Sequence, residues 1–360
     1  MDTLDQDQLS PLPTSEMAAT SSAQVTLDEP DSEIFEDSST PSEPDEPSKL
    51  ETTATGQGYG YWPLYLFFTF ILGLGSGYLI WGRTALTPPS PAPRQVSAAT
   101  EQPAPVSQVT LPESYTLPVS FGDIGPRLVA AGAIDYDRFV QLYADAGQPL
   151  TEEQLKILTT GSDAPVVING NNAYFLLNFL WAVGLTNQNR ILTEGLLQQN
   201  SKGDISGFAS TGGWTIGTKP VTELYASTPL IKLSTEQQTR LETVAQGVYR
   251  PCCNNHTAFP DCNHGMAMLG LLELMAAQGA SEDEMFAAAK YVNAFWFPQQ
   301  MLELAVVYKV SKNQDFAQID ARELVGPNLS SATGYQQAHK WLADNGLLKE
   351  GPNSGSNCGV

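Results

Sequence analysis

Positive charge is scarce in this chain. Its 360 residues include 18 Lys and Arg against 39 Asp and Glu, a net charge of −21 at pH 7 with histidine neutral. Gripping a phosphate backbone takes clustered cations, so a nucleic-acid role is excluded. Phosphate-loop spacing is lacking too. The glycine-rich run Ser210-Thr-Gly-Gly-Trp-Thr-Ile-Gly-Thr218 follows neither G-x-x-x-x-G-K-[ST] nor G-x-G-x-x-G, and no clear strand precedes it. It and Asn169-Gly-Asn-Asn172 read as tight turns, the longer one packed by Trp214. There is no internal repeat of roughly 20–50 residues, which excludes a solenoid. Strand-like alternation is almost missing, with Ala164–Ile168 the best short candidate. Cysteine and histidine are rarer still, at four and three.

The acidic excess is uneven. Residues 1–60 hold 14 of the acidic residues and one basic residue, Lys49, in a background of Ser, Thr and Pro. Such a stretch cannot bury enough apolar surface to offset the entropy of ordering, so it reads as a disordered tail serving as a solvated spacer. Tyr61–Trp81 carries no charge over 21 residues, with Trp62 and Tyr65 at one end and Tyr78 and Trp81 at the other. At about 1.5 Å per residue it matches a bilayer core of about 30 Å, and the expectation is a transmembrane helix over 61–82. A cleaved signal peptide fits poorly, because no short basic region precedes it. Residues 83–110 are a tether of Pro, Ala and Ser, which favours an extracytoplasmic C-terminal side over the weak opposing count of Arg83 and Arg94 against Lys49.

From residue 111 to about 350 the composition becomes that of a folded, soluble domain, followed by a flexible tail at 351–360. Thr151–Gln154, Ser234–Gln237 and Ser281–Glu284 match the capping-box pattern that opens helices. Further helices are predicted over Asp135–Ala146, Ala173–Leu185, Gly265–Gln278, Gln299–Val310 and Gln336–Leu347, with Gly147 and Gly279 as C-terminal glycines. The fold class expected is mostly α: one transmembrane helix plus a helical soluble domain with irregular loops.

Five of the seven cysteines and histidines, Cys252, Cys253, His256, Cys262 and His264, lie within 13 residues. The order C-C-x2-H-x5-C-x-H matches neither a zinc finger nor a c-type haem site, yet Pro251, Asn254, Asn255 and Pro260 favour turns that gather the side chains. Thiolate and imidazole suit zinc, copper or iron rather than calcium or magnesium. Met266 and Met268 add soft sulfur, or else pack in the core of a Leu-rich helix. Asp261 is placed to orient a ligand or to cap that helix. Competing uses are a structural zinc knot, disulfide stapling that draws in Cys358, and a nucleophilic cysteine with His256 or His264 as base. His339, on the late helix, is set aside as an ordinary surface or core histidine.

The run PCC…DCNHG, followed by a helix, Gly279 and Ser281–Glu284 opening a second helix, resembles the exported bacterial proteins named for a PCYCGC motif over about residues 250–300. This chain has PCC where those have PCYCGC. The resemblance implies a bacterial, extracytoplasmic, Cys/His-rich setting and no particular reaction. The expectation is a membrane-anchored binding protein, not an enzyme, that holds or passes on copper or zinc. Its partners would be the lipid bilayer, the metal ion, and a protein that receives metal or exchanges electrons. The alternatives are a membrane-anchored thiol oxidoreductase and a scaffold with a stabilising site.

Overall fold

The computed structural model describes residues 109–348. Local signals set its helices. Among the described residues nine helices reach eight residues: α1 (Ile124–Ala131), α2 (Tyr136–Asp145), α3 (Glu152–Thr159), α4 (Ala173–Thr186), α5 (Thr235–Gly247), α6 (Asn263–Ala277), α7 (Glu282–Trp296), α8 (Pro298–Lys312) and α9 (Ala332–Asp344). The three expected capping boxes form, at the starts of α3, α5 and α7. At α7, Ser281 Oγ accepts the Glu284 N–H at 3.3 Å while Glu284 accepts the Ser281 N–H at 2.8 Å. Each such cap satisfies donors that the first turn of a helix leaves bare.

Helices α4 and α6 form the centre. Both are apolar nearly all round, the mark of a helix enclosed by protein. Their backbones touch: a Cβ added at Gly184 would lie 2.1 Å from the Met266 carbonyl oxygen, and one at Gly270 would lie 2.4 Å from that of Leu180. Helices α1, α3, α5 and α7 wrap this pair, and their apolar faces complete the larger core. A second core lies between α8 and α9 around Met301, Leu304, Trp341 and Leu342. Loop 248–262 runs from the end of α5 to the start of α6, and Cys252 packs against the second core.

The strand expected over 164–168 appears as β2 (Val167–Asn169), paired antiparallel with β1 (Ser114–Thr116), with Tyr115 opposite Ile168. The Asn172 carboxamide takes up the groups of β2 that β1 leaves unused, accepting from the Asn169 N–H at 2.8 Å and donating to the Val167 carbonyl at 2.7 Å. The Ser210–Thr218 run includes a short helix, Ala209–Gly212, and Trp214 is buried edge-on against Trp181.

The single-pass expectation is corrected. Among the described residues no helix is long and apolar enough to cross a membrane. The longest, α6 to α8, have 15 residues. At about 1.5 Å per residue they fall several ångströms short of a bilayer core of about 30 Å. On that finding the single-pass fold class and the cell-membrane, extracytoplasmic location are not upheld, because no described helix supplies the span they need. The stretch at 61–82 expected to be a transmembrane helix, the acidic tail at 1–60, the tether up to residue 108 and the tail carrying Cys358 lie outside the described residues.

Candidate metal centre

The loop is organised by a side chain that the Cys/His pattern did not single out. Arg250 is 2% exposed, and its guanidinium spends its donors on the loop around it. Nη1 donates to the Asn255 carbonyl at 2.8 Å, and Nη2 to the Asp261 carboxylate at 2.6 Å and the Phe259 carbonyl at 3.3 Å. Nε donates to the Cys262 sulfur at 3.1 Å. A planar fork with five N–H groups can serve this many acceptors, whereas a lysine cannot. Burial works against its charge, but Cys262, Cys253, Cys252 and Asp261 outweigh that and push its pKa above the usual arginine value.

Asp261 does not cap the helix, and although it accepts from the Cys253 thiol at 3.8 Å it lies outside the group of three sulfurs that meets a ligand spacing. One oxygen holds Arg250, and the other accepts from Asn255 Nδ2 at 2.8 Å. Cys262 is the N-cap of α6, and its sulfur accepts the Gly265 N–H at 3.4 Å. Gly265 has no room for a side chain, because a Cβ there would sit 2.3 Å from Arg250 Nη2. Glycine thus lets the cation lie against a helix N-terminus, where the helix dipole disfavours it and the Cys262 sulfur and Asp261 compensate. The other end of the loop is tied to the start of α9: Cys253 O accepts from Ala332 N–H at 2.9 Å, and Asn254 Oδ1 from Thr333 N–H at 2.8 Å.

The three cysteine sulfurs converge, all lying within 4.8 Å of one another. Cys252 and Cys262 are 3.7 Å apart, sulfur to sulfur. Around a metal with bonds of about 2.3 Å, sulfurs stand about 3.8 Å apart in a tetrahedral set and about 4.0 Å apart in a trigonal one. The trio is thus close to a coordinating arrangement. Cys262 is buried, and Cys252 and Cys253 are half-buried, which leaves a path from solvent.

The thiols ionise unequally. Hydrogen bonds from Cys252 and then Cys253 stabilise the Cys262 thiolate, Arg250 adds to them, and together they overcome burial and hold its pKa well below the usual thiol range. Position at a helix N-terminus acts in the same sense. Cys253 goes the other way. Its hydrogen bond with Cys252 draws the thiol down, but the Cys262 sulfur and burial push it up to about 12.

The two histidines expected as ligands do not join the trio, since the group meeting the 4.8 Å spacing is Cys252, Cys253 and Cys262 alone. The His264 ring is buried, with its centroid 4.5 Å from that of Phe297 and 5.9 Å from that of Trp296. Its Nδ1 is buried without a hydrogen-bond partner, and burial lowers its pKa to about 4. His256 packs edge-on against Tyr249, with a buried Nδ1 likewise without a partner. Burial, then the nearby Arg250, lowers its pKa. Both imidazoles are held neutral. Met266 and Met268 are core residues at 0% and 1% exposure. His339 is half-exposed on α9 and pairs with Glu303 at 2.7 Å.

Arg250 had one available signal: it is the only Lys or Arg between Arg240 and Lys290, and it stands two positions before a Cys-Cys pair. No family model, curated protein or solved structure matches the chain.

Proposed function

We propose that the protein binds a thiophilic metal ion, copper or zinc, through Cys252, Cys253 and Cys262, and holds it for transfer to a partner protein. The observation that carries this reading is the convergence of the three sulfurs within 4.8 Å, on a loop held by a buried guanidinium. Thiolates are the ligands that soft Cu(I) and zinc prefer. Three of them around one ion leave net negative charge, and Arg250 sits where it offsets that charge. A set of three also leaves a coordination position open, as exchange with a partner requires. The histidines form no part of this set.

Metal analysis of the full chain, purified reduced and without chelator, tests the proposal. Roughly one equivalent of copper or zinc is expected, falling as pH drops because the thiols must lose protons to bind. A Cys252→Ser/Cys253→Ser variant that keeps its far-ultraviolet circular dichroism should lose the metal. Less than about a tenth of an equivalent on the reduced parent chain, even after incubation with Cu(I) or Zn(II), would sink the proposal.

A further inference from the structure

We infer that Cys252 and Cys262 form a reversible dithiol–disulfide couple, and that closing it dismantles the metal centre by consuming two of its three ligands. The second half rests on the metal-binding reading; the first does not.

Four observations single out this pair. Its sulfurs are 3.7 Å apart, so an approach of less than 2 Å reaches the bonding distance of about 2.05 Å. The two residues are ten positions apart, Cys252 in the loop and Cys262 at the helix cap, so the movement falls on the loop. The adjacent pair Cys252–Cys253 is a poor alternative, because neighbouring residues hold their Cβ atoms in unfavourable geometry for a bridge. Access is graded, with Cys252 half-buried and Cys262 buried beside the Arg250 Nε at 3.1 Å and the Gly265 N–H at 3.4 Å. Those donors stabilise negative charge on the sulfur that must act as the resolving nucleophile.

A peroxide is a sufficient oxidant. The Cys252 sulfur attacks one peroxide oxygen; the O–O bond breaks, and the departing hydroxide takes the thiol proton and leaves as water. Cys252 is then a sulfenic acid, oxidised by two electrons. The Cys262 thiolate attacks the Cys252 sulfur; the S–S bond forms, the S–O bond breaks, and the hydroxide takes a proton from solvent, equal to the one Cys262 released on ionising, and leaves as a second water. One peroxide and two thiols thus give one disulfide and two waters. Cys253 keeps its thiol, and one thiol alone does not hold a metal ion.

The test uses the full chain carrying Cys358→Ser, which leaves the three loop cysteines. The reduced protein is treated with one equivalent of hydrogen peroxide. Thiols are counted after denaturation, and metal content is measured before and after. The expected count falls from three to one. Cleavage before Asp261 separates Cys262 from the other two cysteines, so the linked fragments are read by mass spectrometry. The link should persist in Cys253→Ser and vanish in Cys252→Ser, with both variants checked for fold by circular dichroism when reduced. Metal loaded as Zn(II) or Cu(I) should be released in step with the link and rebind after reduction with a phosphine. A count that stays at three, or a link that survives Cys252→Ser and disappears in Cys253→Ser, overturns the couple. Metal retained at full stoichiometry by linked protein overturns the dismantling. A reduced chain that never takes up metal overturns the metal reading and the dismantling with it, while the thiol count and the link still decide the couple.

Discussion

Replacing Arg250 with methionine keeps the length and apolar stem of the side chain but deletes the charge and four hydrogen bonds. The cost follows from what is left behind. Asp261 loses its partner at 2.6 Å, Cys262 loses a donor at 3.1 Å, and the carbonyls of Asn255 and Phe259 are stranded beside a thioether. Breaking a buried ion pair from one side costs about 3–5 kcal/mol. Asp261 is 21% exposed and regains part of its hydration, which places the expected loss near the lower end, about 3 kcal/mol. For a folded unit of this size that lowers the melting temperature of the reduced, metal-free chain by roughly 6–12 °C. Urea and thermal melts followed by circular dichroism measure it. Because Arg250 helps to depress the Cys262 pKa, the variant should also ionise that thiol at higher pH, read from thiolate absorbance in the ultraviolet. The sign is that of a depressed acid. Thiolate stabilisation is fully present above the unfolded thiol pKa of about 8.5 and is lost as pH falls through the folded value, so this slope should flatten in the variant. Adding Asp261→Asn should recover part of the loss, since it removes the orphaned charge. A variant within about 0.5 kcal/mol of the parent, or a double variant no better than the sum of the singles, would refute the account of Arg250 as the loop's organising centre.

Two further substitutions test the fold that carries the loop. Gly184→Ala drives a Cβ into the Met266 carbonyl, 2.1 Å away on a rigid helix backbone, and should cost at least about 2 kcal/mol of unfolding free energy in urea. An unchanged midpoint would show that α4 and α6 do not touch as described. Glu273, fully buried in α6, has a pKa raised well above the usual carboxyl value by burial, which the neighbouring Asn187 and Asn189 carboxamides only partly offset. A raised acid contributes stability below its unfolded pKa of about 4.3 and loses it as pH rises toward the folded value, so Glu273→Gln should be more stable than the parent at pH 8 and should flatten this dependence. A variant less stable than the parent at pH 8 would contradict this.

The helices were legible because their signals are local. A capping box needs only residues three positions apart, and the boxes at Thr151, Ser234 and Ser281 form as the sequence pattern predicts. Helix α6 is less sharply marked. It starts at Asn263, two residues before the expected Gly265, because a cysteine and not a residue of the usual capping set serves as its N-cap. Strand β1 was not legible at all. Ser114–Thr116 is three residues long, and its partner β2 lies some fifty positions away, so nothing in its own sequence specifies it. The same holds for the stacking of Tyr115 on Tyr291 at 3.9 Å, which fixes β1 against α7. The membrane expectation came from a stretch outside the described residues, and no helix within them repeats its length and apolar character.

At the site, proximity in sequence proved a partial guide to proximity in space. Cys262 and His264 are two residues apart, but Cys262 is the N-cap with extended backbone while His264 already lies in the helix. The Cys262 sulfur faces the loop as an N-cap, whereas His264 faces inward and meets Phe297 and Trp296. The spacing in sequence does not reveal that the helix starts between them, at Asn263, with one side chain on the loop and the other in the core. Cys252 and Cys253 belong to a loop whose path is set by Arg250 and by the start of α9. Burial of a lone arginine is a tertiary outcome with no periodicity to announce it. Yet a guanidinium placed among three thiols makes the same demand of either chemistry proposed here. It favours sulfur that carries negative charge, whether that charge is then shared with a metal ion or used to close a bond to Cys252.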